Sequence, residues 1–361
     1  MNRVRTAIFP TVPRDPDVTY ARPMDGIKII GIVGGGTMGA EIAHVAAAHG
    51  FSVLLADADR ARAETGRDRA ISIATQRVAR GHMTTDDATA IAKGITAVDG
   101  IAGLIAADAV IEAVPENLDL KVRVHAEINA VVAAHALVAT NTSGLSITTL
   151  GDATGNAGRL VGLHFFNPAS RMRLVEVIAG AATTEDTVTL ACDLARAVGK
   201  EPVRVAECPG FVVNRVLVRA MAEAYRAATA APVDPRAADA AVVEGGPAPM
   251  GPFALGDLIG LDVLESIRAD LERAYGNRFN DAGMLAPLVA AGNLGRKTGS
   301  GLVPDRGAAP TGTEPVMAAV YYASAMDEAR RLVNEAIASV EDINLAMRLG
   351  AGWQVGPLAV D

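Results

Sequence analysis

Continuous apolar runs alternate with amphipathic stretches over roughly the first 205 residues, and beyond that point the alternation stops. Residues 27–33 form an unbroken Ile/Val-rich run, which suits a parallel strand covered on both faces. An Ala-rich helix is predicted over 37–49, ended by Gly50, and a second apolar strand over 52–56 closes on Asp57. Strands at 109–113, 137–140 and 160–164 alternate with helical segments such as 119–134, so this half reads as a doubly wound, Rossmann-type α/β domain. After Pro209 strand-like runs vanish. Helices are predicted over 211–231, 237–243, 255–275 and 316–340, with Pro/Gly-rich joints at 245–252 and 293–315. The expected division is an arm at 1–26, a nucleotide domain at 27–207, a helical domain at 208–303 and a further helical segment at 314–361.

That last segment repeats the one before it. At a fixed offset of 105 residues, Ala220, Met221, Glu223, Ala224 and Arg226 fall on Ala325, Met326, Glu328, Ala329 and Arg331 without a gap. In the same register Gly245 meets Gly350, and Gly251-Pro252 meets Gly356-Pro357. The expectation is a partial second copy of the helical module.

Composition narrows the class. Half of the 361 residues are hydrophobic but only 4% are aromatic, and no apolar run approaches the roughly 18 residues needed to span a bilayer. Two cysteines, Cys192 and Cys208, fit neither a disulfide framework nor a zinc motif, which favours a reducing, cytoplasmic setting. A net charge of -8 argues against nucleic acid as a partner, and the lack of a long apolar run against a membrane. Any phosphate-bearing ligand must be held locally.

Such a place follows the first strand. Gly34-Gly35-Gly36-Thr37-Met38-Gly39 has the GxGxxG spacing between a predicted strand and a predicted helix. Gly34 permits the turn, Gly36 lets a pyrophosphate approach the backbone, and Gly39 lets helix pack on strand. Asp57, at the end of the next strand, is placed to accept from an adenosine ribose and to repel a 2′-phosphate, which favours NAD over NADP; Arg60 and Arg62 nearby weigh the other way.

Of six histidines, His44, His49, His82, His125 and His135 read as surface or packing residues. His164 ends a predicted strand, where ligands of open α/β sheets gather. Twelve residues later Glu176 interrupts the apolar run 174–178, and a buried carboxylate needs a partner. Two antiparallel strands joined by a turn at 167–173 would set Glu176 against the His164 ring, as a base and its orienting group. A structural His beside an unrelated Glu is the competing reading.

The sequence resembles the 3-hydroxyacyl-CoA dehydrogenase family over nearly all of 27–303. The resemblance rests on Gly31 to Gly39, Val110-Ile111-Glu112-Ala113-Val114-Pro115-Glu116-Asn117, Thr140-Asn141-Thr142-Ser143 and His164-Phe165-Phe166-Asn167-Pro168. It continues through Pro209-Gly210-Phe211-Val212-Val213-Asn214-Arg215, Met250-Gly251-Pro252-Phe253 and Leu294-Gly295-Arg296-Lys297-Thr298-Gly299. It implies that His164 is the catalytic base and Glu176 its carboxylate, with Ser143 and Asn214 positioning the substrate oxygen and the histidine. It also implies that Gly34, Gly36, Thr37, Met38, Gly39, Asp57 and Asn141 serve the NAD cofactor, that Glu112 and Lys121 lie along it, and that Asn167 lies near the nicotinamide.

The implied reaction is oxidation of a 3-hydroxyacyl-CoA in fatty-acid metabolism. The same chemistry on a substrate carried by acyl carrier protein, or on a short polar hydroxyacyl unit, is the alternative, and a non-catalytic binding or structural protein on this fold a more distant one. Gly144 stands where the family commonly has a second Ser, and Leu302-Val303 replace an aromatic pair. At offset 105 Ala319 stands opposite Asn214, so the second copy is expected to serve packing, with a second chain covering the remaining apolar face in a homodimer.

Overall fold

A computed structural model describes residues 26–231, 233–303 and 315–359. The 1–25 part of the expected arm and the stretch 304–314 lie outside the described residues. The described residues divide into two compact units, 26–207 and 208–359.

The first unit begins with strand β1 (Ile29–Val33), helix α1 (Thr37–Ala48) and β2 (Ser52–Ala56). Helices α2 (Arg60–Ala79) and α3 (Thr85–Gly94) lead to β3 (Ile95–Ala97), and β4 (Ala109–Glu112), α4 (Leu118–Val131), β5 (Leu137–Thr140) and α5 (Ile147–Thr154) follow. Then come β6 (Leu160–Phe165), β7 (Leu174–Ala179), α6 (Glu185–Ala197) and β8 (Glu201–Ala206). The eight strands form one sheet in the order β3-β2-β1-β4-β5-β6-β7-β8, parallel except where β7 runs against β6. Strands β4, β5 and β6 are buried at every position, as their unbroken apolar runs require of strands covered on both faces.

Chain order reverses between β1 and β4. In open sheets of this kind the crevice beyond those two carboxyl ends is the ligand site. There the glycine loop touches the next crossover: a Cβ on Gly34 would stand 2.7 Å from the carbonyl oxygen of Ala113, and Gly34 has φ +105. Only glycine fits.

The second unit is helical: α7 (Val213–Ala230), α8 (Pro235–Glu244), α9 (Pro252–Ile259), α10 (Leu261–Tyr275), α11 (Leu285–Ala290), α12 (Pro315–Asn334) and α13 (Val340–Gly350). Two expected helices differ. The stretch 255–275 is broken at Gly260 (φ +99), where the chain turns between α9 and α10. The helix expected over 316–340 stops at Asn334, because Ala336 takes a left-handed conformation and Ser339 caps a new helix by accepting from the backbone N–H of Asp342.

The repeat is structural. Helices α12 and α13 reproduce α7 and α8 at the 105-residue offset. Gly251 packs with its would-be Cβ 2.3 Å from Cα of Asp239, and Gly356 stands in the same place over Asn344. Phe253 N–H donates to Asp239 (2.9 Å) as Leu358 N–H donates to Asn344 (2.8 Å). The side chain of α8 or α13 closes the joint in both copies.

Candidate active site

The turn after β1 is built to receive an anion. Gly36 is the N-cap of α1 and no side chain caps that helix, so the first N–H groups and the positive end of the helix dipole face outward. A Cβ on Gly36 would meet nothing within 4 Å, whereas one on Gly39 would stand 1.7 Å from the carbonyl oxygen of Gly34. The loop thus has one glycine facing open space and one in close packing, the division that a pyrophosphate lying across a helix N-terminus requires. Thr37 is exposed and Met38 is half-buried against the core.

Asp57 stands beside that loop. Its carboxylate accepts from Gly35 N–H (2.6 Å) and Ala58 N–H (2.7 Å), which fixes both oxygens while leaving lone pairs for ribose hydroxyls. Arg60 and Arg62, which weighed toward NADP, are paired with Glu64 (2.9 Å) and Asp59 (3.6 Å). A NAD molecule fits these residues.

The expected hairpin places His164 opposite Glu176 in the antiparallel register of β6 and β7. Opposed residues in such a pair project to the same face, so the side chains meet. His164 Nδ1 lies 2.7 Å from Glu176 Oε2, with the imidazole 6% exposed and the carboxylate fully buried. The ring nitrogen donates to the carboxylate, which sets the tautomer and leaves Nε2 on the opposite side of the ring. Phe166 tilts against the imidazole at 4.5 Å between centroids and narrows its access to water.

Asn141 is buried and its side-chain oxygen accepts from Phe165 N–H (2.9 Å), tying the end of β5 to the residue after His164. Ser143 is partly exposed in the loop after β5, and Asn167 is exposed at the start of the turn between β6 and β7. Asn214 is partly buried in the first turn of α7, in the helical unit.

Glu112 and Lys121, expected along the cofactor, form a buried pair. Both side chains are fully buried and bonded to each other at 2.7 Å. Glu112 also accepts from Thr140 Oγ1 (2.7 Å), Val114 N–H (2.6 Å) and the His125 ring (3.3 Å). Burial pushes its pKa up, but the His125 hydrogen bond and the Lys121 charge outweigh that and hold the carboxyl below its ordinary value.

The carboxylate at the surface is Glu116, four residues on. It accepts from Thr142 Oγ1 and from Ser143 N–H (3.0 Å) and takes the Lys121 ammonium at 3.4 Å. It therefore joins the loop after β4 to the loop that carries Ser143. Among the other histidines, His44 and His125 are buried in packing, His49 is half-buried, and His82 and His135 are exposed.

A glycine loop opening a helix, an aspartate beside it and a buried His–Glu pair across β6 and β7 are the arrangement of a dinucleotide-dependent dehydrogenase. Comparisons with known proteins make the class specific. The model of the "3-hydroxyacyl-CoA dehydrogenase, NAD binding domain" matches residues 29–208, and that of the C-terminal domain matches 210–304 and again 320–360. The 3-hydroxyadipyl-CoA dehydrogenase of Escherichia coli K12 is 40% identical over 77% of this chain, which spans 59% of that relative's length. The 3-hydroxybutyryl-CoA dehydrogenase of Bradyrhizobium diazoefficiens is 36% identical over 80% of this chain and 98% of its own. A crystal structure of 3-hydroxybutyryl-CoA dehydrogenase from Escherichia coli K12 superposes with a TM-score of 0.86 at 30% identity, covering 92% of this chain and 90% of that one. The chain belongs to the 3-hydroxyacyl-CoA dehydrogenase family, whose cofactor is NAD.

Proposed function

We propose that the protein interconverts a 3-hydroxyacyl-CoA and the 3-ketoacyl-CoA, with His164 as the base and Glu176 as its partner. The observation that carries this reading is the 2.7 Å contact from His164 Nδ1 to Glu176 at the carboxyl end of β6. In the oxidation direction His164 Nε2 takes the proton of the C3 hydroxyl, and Glu176 balances the charge that then develops on the ring. NAD, when bound, supplies the acceptor for the hydrogen and electron pair leaving C3. Ser143 and Asn214 hold the hydroxyl or thioester oxygen.

Gly34, Gly36, Thr37, Met38 and Gly39 bind the pyrophosphate in this reading, with Asp57 on the ribose and Asn167 toward the nicotinamide. Glu112, Lys121 and Asn141, whose side chain also holds the end of β6, line the cofactor side in this reading. The acyl group is carried by CoA, as the relatives' names say of their own substrates. A cytoplasmic setting and a homodimer complete the reading. Among the described residues no helix is long and apolar enough to cross a membrane.

Oxidation of NADH by acetoacetyl-CoA tests the proposal directly, with longer acyl-CoAs and an acyl carrier protein conjugate in the same panel. Turnover of the CoA thioesters is expected. No turnover with any member of the panel would remove the assignment.

Cofactor preference is a separate prediction. Asp57 is expected to favour NADH over NADPH by about tenfold or more in kcat/KM, equivalent to about 1.4 kcal/mol, because a 2′-phosphate meets a fixed carboxylate. A kcat/KM for NADPH equal to or above that for NADH would contradict it.

A further inference from the structure

Lys200, the residue before β8, is 9% exposed, and among the described residues its ammonium makes no ion pair with a carboxylate. Its Nζ donates instead to the carbonyl oxygens of Ala169 (2.5 Å) and Met172 (2.9 Å). Both belong to the turn between β6 and β7. Two carbonyl dipoles converging on one point repel each other unless a cation sits between them, so the turn's shape depends on that ammonium.

The surroundings make this a built arrangement. Gly199 takes φ +71 and lies so close to His49 that a Cβ would stand 2.3 Å from its Nε2; the backbone just before Lys200 thus accepts no other side chain. The N–H of Glu201 donates to the carbonyl oxygen of Arg173 (2.8 Å), opening the ladder between β7 and β8 beside the lysine. From α1, Glu41 accepts the N–H of Ser170 at 2.8 Å. The turn is therefore gripped from β8 through two carbonyls and from α1 through one N–H.

We propose that Lys200 is a positioning residue for the reaction: its ammonium fixes the turn that carries Asn167 and joins the strands of His164 and Glu176. This rests on the catalytic reading of those residues given above. Lys200 touches neither substrate nor cofactor in this role. It acts by holding Asn167 in place and the hairpin closed, where a misplacement of about 1 Å can cost about 10²-fold in rate.

The charge facing Lys200 comes from several elements. Burial pulls its pKa down from 10.5 to about 8, Glu41 on α1 opposes that, and Arg173 on the turn and Arg77 on α2 add to it. His44 on α1 and His49, which caps its end, also feel the Lys200 charge and are held below the usual histidine value, chiefly by burial. Because the folded value lies below the unfolded one, the buried charge is a penalty present below pH about 8, relieved as pH rises toward 10.5. Stability and positioning therefore move in opposite directions over that window. Raising the pH relieves the buried charge while the two carbonyls lose the cation between them.

The experiment compares the parent with Lys200→Met and Lys200→Arg in the oxidation of 3-hydroxybutyryl-CoA by NAD between pH 6 and pH 10. Loss of the Lys200 charge, and with it of the anchored turn, is read as an alkaline limb of the rate. Lys200→Met is expected to lower kcat by about tenfold or more with KM for NAD nearly unchanged and Tm held. Lys200→Arg, whose charge persists beyond pH 12, is expected to restore most of kcat and to carry the alkaline limb upward by about one pH unit or more. Trypsin cleavage after Arg171 and Arg173 reads the turn without turnover, and should speed up in Lys200→Met alone. If kcat and the cleavage rate in Lys200→Met both match the parent, the proposal is overturned. If neither the parent nor the variants turn over but cleavage still speeds up, the anchoring stands and the catalytic reading fails instead.

Discussion

Replacing His164 by Ala lowers kcat by about 10² to 10⁴-fold, the range for loss of a positioned general base, while NADH still binds through the glycine loop. The split follows from the architecture. The loop of Gly34 to Gly39 and Asp57 lies at the ends of β1 and β2, and His164 is the penultimate residue of β6, three strands away from β1 in the sheet order. The His164 contacts described above run to Glu176 and Phe166, on β7 and in the turn after β6. Glu176→Gln is the companion variant. An amide can still accept from Nδ1–H, so the ring orientation survives, but the negative charge that stabilises the imidazolium is gone. Its kcat should fall as well, by less than in His164→Ala. Near-normal turnover in His164→Ala would remove the mechanism, and a Glu176→Gln enzyme matching the parent in rate and pH profile would dissolve the pair.

The His–Glu geometry was legible because it depends on period and register alone. An apolar strand ending in His164, a turn and a second apolar strand interrupted by Glu176 specify which residues oppose each other, and the observed pairing of 164 with 176 follows. The glycine loop was legible for a similar reason, since each glycine answers to a local steric demand. Glu112 and Glu116 were harder. Both sit in one motif, and only the boundary of β4 separates a carboxylate inside the sheet from one beyond its end. The rule that ligands gather past strand ends favours Glu116, had it been applied residue by residue. Lys200 gave no signal at all, because its partners are backbone carbonyls 28 and 31 residues away and any residue type supplies a carbonyl. Helix continuity across Gly260 was misread because apolar spacing persists on both sides of a break that is purely conformational.

The repeat leads to the second large effect. Arg215, immediately after Asn214 on α7, is fully buried, and its Nε donates to the equally buried Glu328 on α12 at 2.7 Å. Glu335 accepts from its other two nitrogens at 2.7 and 2.8 Å, and the guanidinium lies 4.1 Å from the centre of the Tyr275 ring. A charge so enclosed is held by its partners, and together they keep its pKa above the ordinary arginine value despite burial. Glu328 matches Glu223 of the first copy in the repeat, but Glu223 pairs with Arg219 and Arg226 on its own helix. The second copy has turned the same position into a link to the first. Removing one side of a buried pair costs about 3–5 kcal/mol because the other charge stays behind. Back-up partners set the order between the two variants. Arg215→Met leaves Glu328 with Arg278 at 2.9 Å, which is a quarter exposed, whereas Glu328→Leu leaves Arg215 with Glu335, which is 42% exposed and worth less. Glu328→Leu should therefore be the more damaging, lowering the Tm of the helical unit by roughly 10 °C or more at about 2–4 °C per kcal/mol. The double variant Arg215→Met with Glu328→Leu should recover part of the loss, since no uncompensated charge remains. Urea and thermal unfolding of the three variants measure this. Single variants costing less than about 1 kcal/mol, the level of an exposed pair, would show that α12 is held on α7 by apolar packing alone.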